Sequence, residues 1–188
     1  RRLVQALRRR GERVVFVQDP GSTVLGRRLR TLLLHDHLRR VSPMTEALLF
    51  IAGRIPLVEE QIRPALRRGR VVVCDRFHDS TVAYQGFGGR LDVRWLDRLG
   101  RAAIGDVMPD LTVLLDIPTA VGFARLRHPR DRMERKTRGF HQRVRRGFLR
   151  LARQHPRRFI IIDATRPPDT VHRAIVRAVF KRLDRHPS

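Results

Sequence analysis

Four short runs of β-branched and aliphatic residues each end at or next to an acidic side chain: RVVFVQ before Asp19, RVVVCD to Asp75, LTVLLD to Asp116 and RFIIID to Asp163. The runs are continuously apolar rather than alternating, the pattern of strands covered on both faces. Segments of helical character separate them. One is expected from about Val24 to Leu38, another from about Pro43 to Arg67, closed by Gly69, and a last one from Pro168 to Leu183. Leu3, Val4 and Leu7 recur at helical spacing in the opening RRLVQALRRRG, as if a helix were already under way. Strands alternating with helices predict an α/β domain of three layers with a parallel sheet between helices, and ligands of such sheets bind where the strands run out. The carboxylates stand there. Asp116 and Asp163 are read equally well as loop caps or as chemical groups.

Length and charge narrow the class. A chain of 188 residues suits one domain, residues 1–188, with a lid segment around 123–140. Lys136 and Lys181 are the only lysines, so the net charge of +23 is almost wholly arginine. Such a balance attracts polyanions, nucleic acid or phosphorylated small molecules. The charge is spread along the chain rather than gathered in a tail, which favours solvated helix faces. Tyr84 and Trp95 are the sole Tyr and Trp, so no rich stacking platform for a nucleic acid is expected. A single cysteine, Cys74, excludes an internal disulfide and suits a reducing cytoplasm. No apolar run approaches a membrane span. His35 and His37 are two apart on an expected helix and face different ways, so no metal site is expected.

The loops after the runs carry the chemistry. In QDPGST, Pro20 and Gly21 force a turn that aims Asp19 back at the strand tip. Phe50 and Arg54 are four apart on one helix face, with Glu46 a turn earlier; a ring and a guanidinium so placed can stack a base and donate to its carbonyl, although core packing plus a surface cation is the commoner use. DSTVAYQGFGG offers Ser80, Thr81, Tyr84 and Gln85 as orientable groups, and Gly86, Gly88 and Gly89 permit close backbone approach. FARLRHPRDRMER gathers Arg125, Arg127, Arg130, Arg132 and Arg135 around Pro129, the composition of a flap that neutralises a transferring phosphoryl group.

In order, DPGST (19–23), LLFIAGRIPLVEEQIRPAL (48–66), CDRFHDSTVAYQGFGGRLD (74–92), PDLTVLLD (109–116), DRMER (131–135) and IDAT (162–165) resemble the motif series of the thymidylate kinase family over essentially the whole chain. The resemblance implies a P-loop nucleoside monophosphate kinase fold that phosphorylates dTMP to dTDP, with ATP as donor and Mg2+, in a cytoplasmic homodimer. Residue by residue, it implies Phe50 stacked on thymine and Arg54 donating to the base carbonyl, with Ser80 and Thr81 completing the base pocket. It further implies Arg30 and Arg76 on the monophosphate, and Tyr84 and Gln85 at sugar and base, Tyr84 crowding a ribose 2′ hydroxyl. Asp19 joins the substrate site; Asp75 orients Arg76 or reaches magnesium through water. Arg125, Arg127 and Arg130 serve the transferring phosphoryl group.

Departures accompany the match. No GxxxxGK[ST] phosphate loop occurs in the 188 residues, and the segment matching RRLVQALRRRG lies just downstream of that loop in the family, so a truncated chain is expected. Gln18, Asp19 and Ser22 stand where the family usually has Arg, Glu and Gly, and Pro56 should kink or interrupt its helix. A nucleotide-binding pseudoenzyme, another nucleoside or nucleotide kinase, and a nucleic-acid-binding protein are the alternatives.

Overall fold

A computed structural model describes residues 1–34, 41–126 and 131–185. Each apolar run is a strand: β1 Val14–Gln18, β2 Val71–Asp75, β3 Thr112–Asp116 and β4 Phe159–Asp163. β1 pairs in parallel with β2, in a register from Val14 opposite Val71 to Gln18 opposite Asp75. β3 pairs in parallel with β4, and Asp116 lies opposite Asp163. The carboxyl tips of each pair are therefore level, and the Asp19 N–H extends the first ladder by donating to the Asp75 carbonyl at 3.0 Å.

One sheet was expected, and two two-stranded ladders are present. Among the described residues no strand stands between β2 and β3, and the two do not pair. The runs are half-buried rather than sealed: Phe16 of β1, Leu115 of β3 and Ile161 of β4 are between 46% and 48% exposed. The ladders are tied through Asp79 instead. Its carboxylate accepts from both terminal nitrogens of Arg158 at 2.6 and 2.8 Å and from the Thr112 hydroxyl at 3.2 Å, so the helix after β2 is stitched to the starts of β3 and β4.

Local signals in the chain account for the helices. α1 (Arg2–Arg9) is the helix expected under way at Leu3, and Gly11 at φ +94° ends its last turn. α2 spans Val24–Leu34; its expected end at Leu38, with His35 and His37, lies outside the described residues. α3 (Pro43–Leu57) starts with the Ser42 hydroxyl accepting from the Thr45 N–H and with Pro43 at the first position, where its missing N–H is no loss. Pro56 interrupts the ladder as expected: a π-helical turn, Val58–Ile62, follows and leads into α4 (Arg63–Arg67). After β2 come α5 (His78–Thr81), a second π-helical segment at Val82–Gly88, and α6 (Val93–Ile104), capped by the Asp92 carboxylate. α7 (Thr119–Ala124) and α8 (Arg138–Gln154), the latter capped by Thr137, bridge β3 and β4, and α9 (Pro168–Leu183) closes the chain.

The core has three parts. β1, β2 and the α3–α4 path enclose Val17, Leu57, Val58, Ile62 and Phe77; α3 and α6 meet at Ala47, Ile51 and Leu96. The third part packs α8 on the second π segment through Val82, Ala83, Phe140, Val144 and Leu151. Here the glycines of YQGFGG allow the close approach expected of them, and it is protein that approaches. A Cβ on Gly88 would lie 2.7 Å from the Phe140 ring, and one on Gly89 would lie 2.6 Å from the Gln85 carbonyl oxygen.

The tightest approach is at Gly100 of α6, where an added Cβ would sit 2.2 Å from Cε1 of buried His78. Gly100→Ala should therefore cost about 1–3 kcal/mol through overpacking. Urea midpoints check this, and the loss should shrink when His78→Ala is combined with it; a cost below about 0.5 kcal/mol refutes the contact.

Candidate active site

The loops at the tips of β1 and β2 face α3, whose period puts Glu46, Phe50 and Arg54 on one side. Arg54 is 2% exposed. Its Nε donates to Asp19 at 2.5 Å, one terminal nitrogen donates to the Thr81 hydroxyl at 2.8 Å, and its guanidinium lies 5.3 Å from the centre of the Phe77 ring. The other terminal nitrogen, Nη1, is buried without a partner, as is Oδ1 of Asp19. An unpaired buried donor costs about 1–3 kcal/mol, so a guanidinium held this way carries a reserved hydrogen bond. Burial pushes the Asp19 carboxyl above the ordinary carboxylate range, and the neighbouring Arg54 and Arg76 offset this only in part. Phe50 is half-buried one turn from Arg54.

A second cation stands across the strand tip. Arg76 adopts φ +65°, a conformation uncommon for any residue with a Cβ. Its carbonyl oxygen accepts from the Cys74 thiol at 2.8 Å. Its side chain lies over the Tyr84 ring, 4.8 Å from the centre, and donates to the Tyr84 hydroxyl at 3.1 Å. The protein around it disfavours the cation, but Tyr84, Asp75 and Asp131 outweigh that and hold its pKa above the ordinary value. Tyr84 is itself braced edge-on by Phe140 and Phe148. Arg30, from α2, donates to the Pro20 carbonyl at 3.1 Å and so reaches the same loop.

The chain as a whole is matched among known proteins. The thymidylate kinase family model covers residues 1–175. The chain belongs to the thymidylate kinase family. It is 45% identical over 191 aligned residues to a thymidylate kinase of Thermomicrobium roseum, covering 98% of this chain and 90% of the relative. It is 44% identical to that of Deinococcus radiodurans, covering 96% and 88%. The crystal structure of the Ehrlichia chaffeensis thymidylate kinase superposes with a TM-score of 0.70 at 33% identity, covering 89% of this chain and 80% of that one.

Set beside the thymidylate kinase roles, the fold brings Asp19, Arg54 and Thr81 into direct contact and Arg76 onto Tyr84, with Phe50 on the same helix face as Arg54. The remaining candidates have partners of their own in the fold. Asp75 accepts from the Gln18 amide at 3.1 Å, while Tyr84 is what orients the Arg76 side chain. Gln18 thus has a use of its own where the family usually has Arg. Gln85 is 2% exposed and donates to Glu46 at 3.1 Å. Ser80 is half-buried and takes part through its N–H, which donates to the Phe77 carbonyl. Arg125 grips the carbonyls of Ala164 and Thr165 at 2.6 and 2.7 Å, fastening α7 to the IDAT loop. Arg127 and Arg130 lie outside the described residues. Asp163 caps its own loop, accepting from the N–H and hydroxyl of Thr165, and Asp116 forms a bidentate pair with Arg145 at 2.7 and 2.8 Å.

Sequence reasoning missed the supports. Arg132 and Lys136 both reach the Glu46 carboxylate, and His78 bonds Asp97 of α6 at 2.8 Å. The Glu46–Phe50–Arg54 spacing was a usable signal for the first. Nothing local marks the second, which joins residues nineteen apart. Burial depresses the His78 imidazole below its ordinary value of 6.5, and the Asp97 hydrogen bond restores it only in part. The unfolded chain then takes up this proton more readily than the fold, so the contribution is complete above pH 6.5 and falls as pH drops below it. Urea denaturation from pH 8 to about 5 should show a shallower acid loss in His78→Gln than in the parent chain; equal slopes contradict a buried neutral imidazole.

Proposed function

We propose that the chain phosphorylates dTMP to dTDP with ATP, and that the nucleoside monophosphate lies at the tips of β1 and β2. The observation that carries the placement is the unpartnered Nη1 of buried Arg54 beside half-buried Phe50. The pyrimidine stacks on Phe50, and Arg54, unable to turn because Asp19 and Thr81 hold its other nitrogens, donates to the ring carbonyl. A cytosine amino group would set donor against donor. Arg76 and Arg30 take the monophosphate, where a fork of N–H groups suits phosphate oxygens. Tyr84 holds Arg76 and closes the pocket where a ribose 2′ hydroxyl would project.

The chemistry needs no protein nucleophile. A phosphate oxygen of dTMP attacks the γ-phosphorus of ATP, the bond to the β–γ bridging oxygen breaks, and ADP leaves. Phosphoryl transfer is positioning plus charge stabilisation, so the work of this chain is to align the acceptor oxygen and balance charge with arginine. Arg125, Arg127 and Arg130 are proposed for the phosphoryl side; for Arg125 this requires release from the Ala164 and Thr165 carbonyls. Magnesium would arrive with the nucleotide, and the exposed Asp75 carboxylate at the strand tip would hold it through water. When bound, the ion would neutralise charge on the β- and γ-phosphates.

Two finer readings accompany this one. Met44, Leu48 and Ile55 are 39%, 46% and 36% exposed along one side of α3, with exposed Ala52 between them; we read this stripe as the contact of a homodimer. Among the described residues no helix is long and apolar enough to cross a membrane, and the lone Cys74 accords with a cytoplasmic setting.

Calorimetry should find dTMP bound ahead of dUMP, CMP and thymidine, and no comparable binding of a duplex oligonucleotide. Phe50→Ala should weaken dTMP by about 1–3 kcal/mol, or roughly 5- to 150-fold. A different preferred ligand, or an unaffected Phe50→Ala, sinks the placement. Leu48→Glu should turn a dimer in sedimentation velocity into a monomer; a parent chain that sediments as a monomer removes the dimer reading.

A further inference from the structure

Glu46 is 1% exposed, and its carboxylate joins three parts of the molecule. Oε1 accepts from the Arg132 guanidinium and from the Lys136 ammonium, each at 2.8 Å, and Oε2 accepts from the Gln85 amide at 3.1 Å. Arg132 is further engaged by the end of α2: its Nε donates to the Leu33 carbonyl at 2.7 Å, and its backbone N–H donates to the Leu34 carbonyl at 3.1 Å. Met133, between the two cations, is buried in the core packed by α8. The arginine-rich segment is thus lashed across the start of α3, one turn from Phe50, and Asp131 at its head acts electrostatically on Arg76.

We infer that Glu46 is a positioning residue that sets the Gln85 amide for pyrimidine selection and latches segment 131–136 over the nucleoside pocket. This rests on the reading of the preceding subsection for its first half only. An ionised carboxylate accepts and never donates, so Gln85 must turn its NH2 toward Glu46. Its carbonyl oxygen is then left on the opposite side as an acceptor. A thymine or uracil ring presents an N–H at N3, which that oxygen can take; cytosine presents a bare nitrogen there and meets repulsion. The same oxygen pair that fixes the amide is what the two cations need, so base choice and lid closure share one carboxylate. Glu46→Gln keeps the shape, but its amide can offer NH2 to Gln85 and lets that side chain flip, and it loses the charge that holds Arg132 and Lys136.

Two measurements test this. Hydrogen exchange of the nucleotide-free chain should show residues 131–136 exchanging about tenfold faster or more in Glu46→Gln, with α6 and β4 unchanged. Calorimetry should show the preference for dTMP over dCMP falling about tenfold in the same variant, since a misdirected buried polar pair is what discriminates such ligands. Arg132→Gln combined with Lys136→Gln should release the segment and leave the dTMP-to-dCMP ratio within about twofold, because Gln85 keeps its acceptor. Unchanged exchange at 131–136 in Glu46→Gln, or an unchanged ratio in it, overturns the assignment. Should Glu46→Gln fail to fold, Lys136→Gln alone must raise exchange at 131–136, and protection equal to that of the parent chain refutes the latch. Failure of the parent chain to bind dTMP would remove the functional reading, while the exchange result in the free chain still decides the latch.

Discussion

The buried pair of Asp19 and Arg54 is the joint on which the site depends. Asp19 comes from the tip of β1 and Arg54 from the last turn of α3, and Thr81 completes the contact from the end of α5. Removing one partner from such a pair leaves an uncompensated buried charge, at a cost of about 3–5 kcal/mol. That dependence holds three separate pieces of chain in one arrangement around the strand tips. It also leaves Nη1 of Arg54 without a partner, the bond that the proposed pyrimidine carbonyl would take.

A second principle is that cations in this site do not face the solvent alone. Tyr84 carries Arg76 on its ring and by its hydroxyl, and Phe140 and Phe148 hold Tyr84 from α8. Glu46 holds Arg132 and Lys136. For a chain of net charge +23, unpaired arginines near an anionic substrate would repel one another and adopt many rotamers. Fixing each on an aromatic or a carboxylate removes that freedom before the ligand arrives. The π-helical segments serve the same end: the Val82–Gly88 widening brings Tyr84 toward Arg76 and Gln85 toward Glu46.

The strands were legible because an apolar run ended by an acid has one good reading in a chain that alternates with helices. All four begin one residue after the expected start and end where expected. The face shared by Phe50 and Arg54 was legible from their spacing, and Asp19 from its turn. The resemblance to thymidylate kinases supplied the roles that spacing alone left open. What escaped was the direction of polar side chains. Asp75 next to Arg76 suggested a pair; Asp75 lies opposite Gln18 in the ladder and accepts from its amide, while Arg76, past the strand end at φ +65°, turns onto Tyr84. The glycines of YQGFGG signalled close approach without saying by what; at Gly88 it is α8, far away in the chain.

The sequence by itself determined the four strands, their parallel order, the helices at 2–9, 24–34, 43–67 and 168–183, and the chemical inventory at the strand tips, because periodicity, caps and turn residues act over a few positions. Only the tertiary structure decided which donor each acid would hold: Asp79 with Arg158, Asp116 with Arg145, Glu46 with Arg132 and Lys136, and Asp97 with the neutral imidazole of His78. With arginine at nearly every turn of the chain, many pairings are open on charge alone. Burial is what selects among them, since a desolvated carboxylate must find a donor within hydrogen-bond reach, and reach is set by how the helices pack on the two ladders.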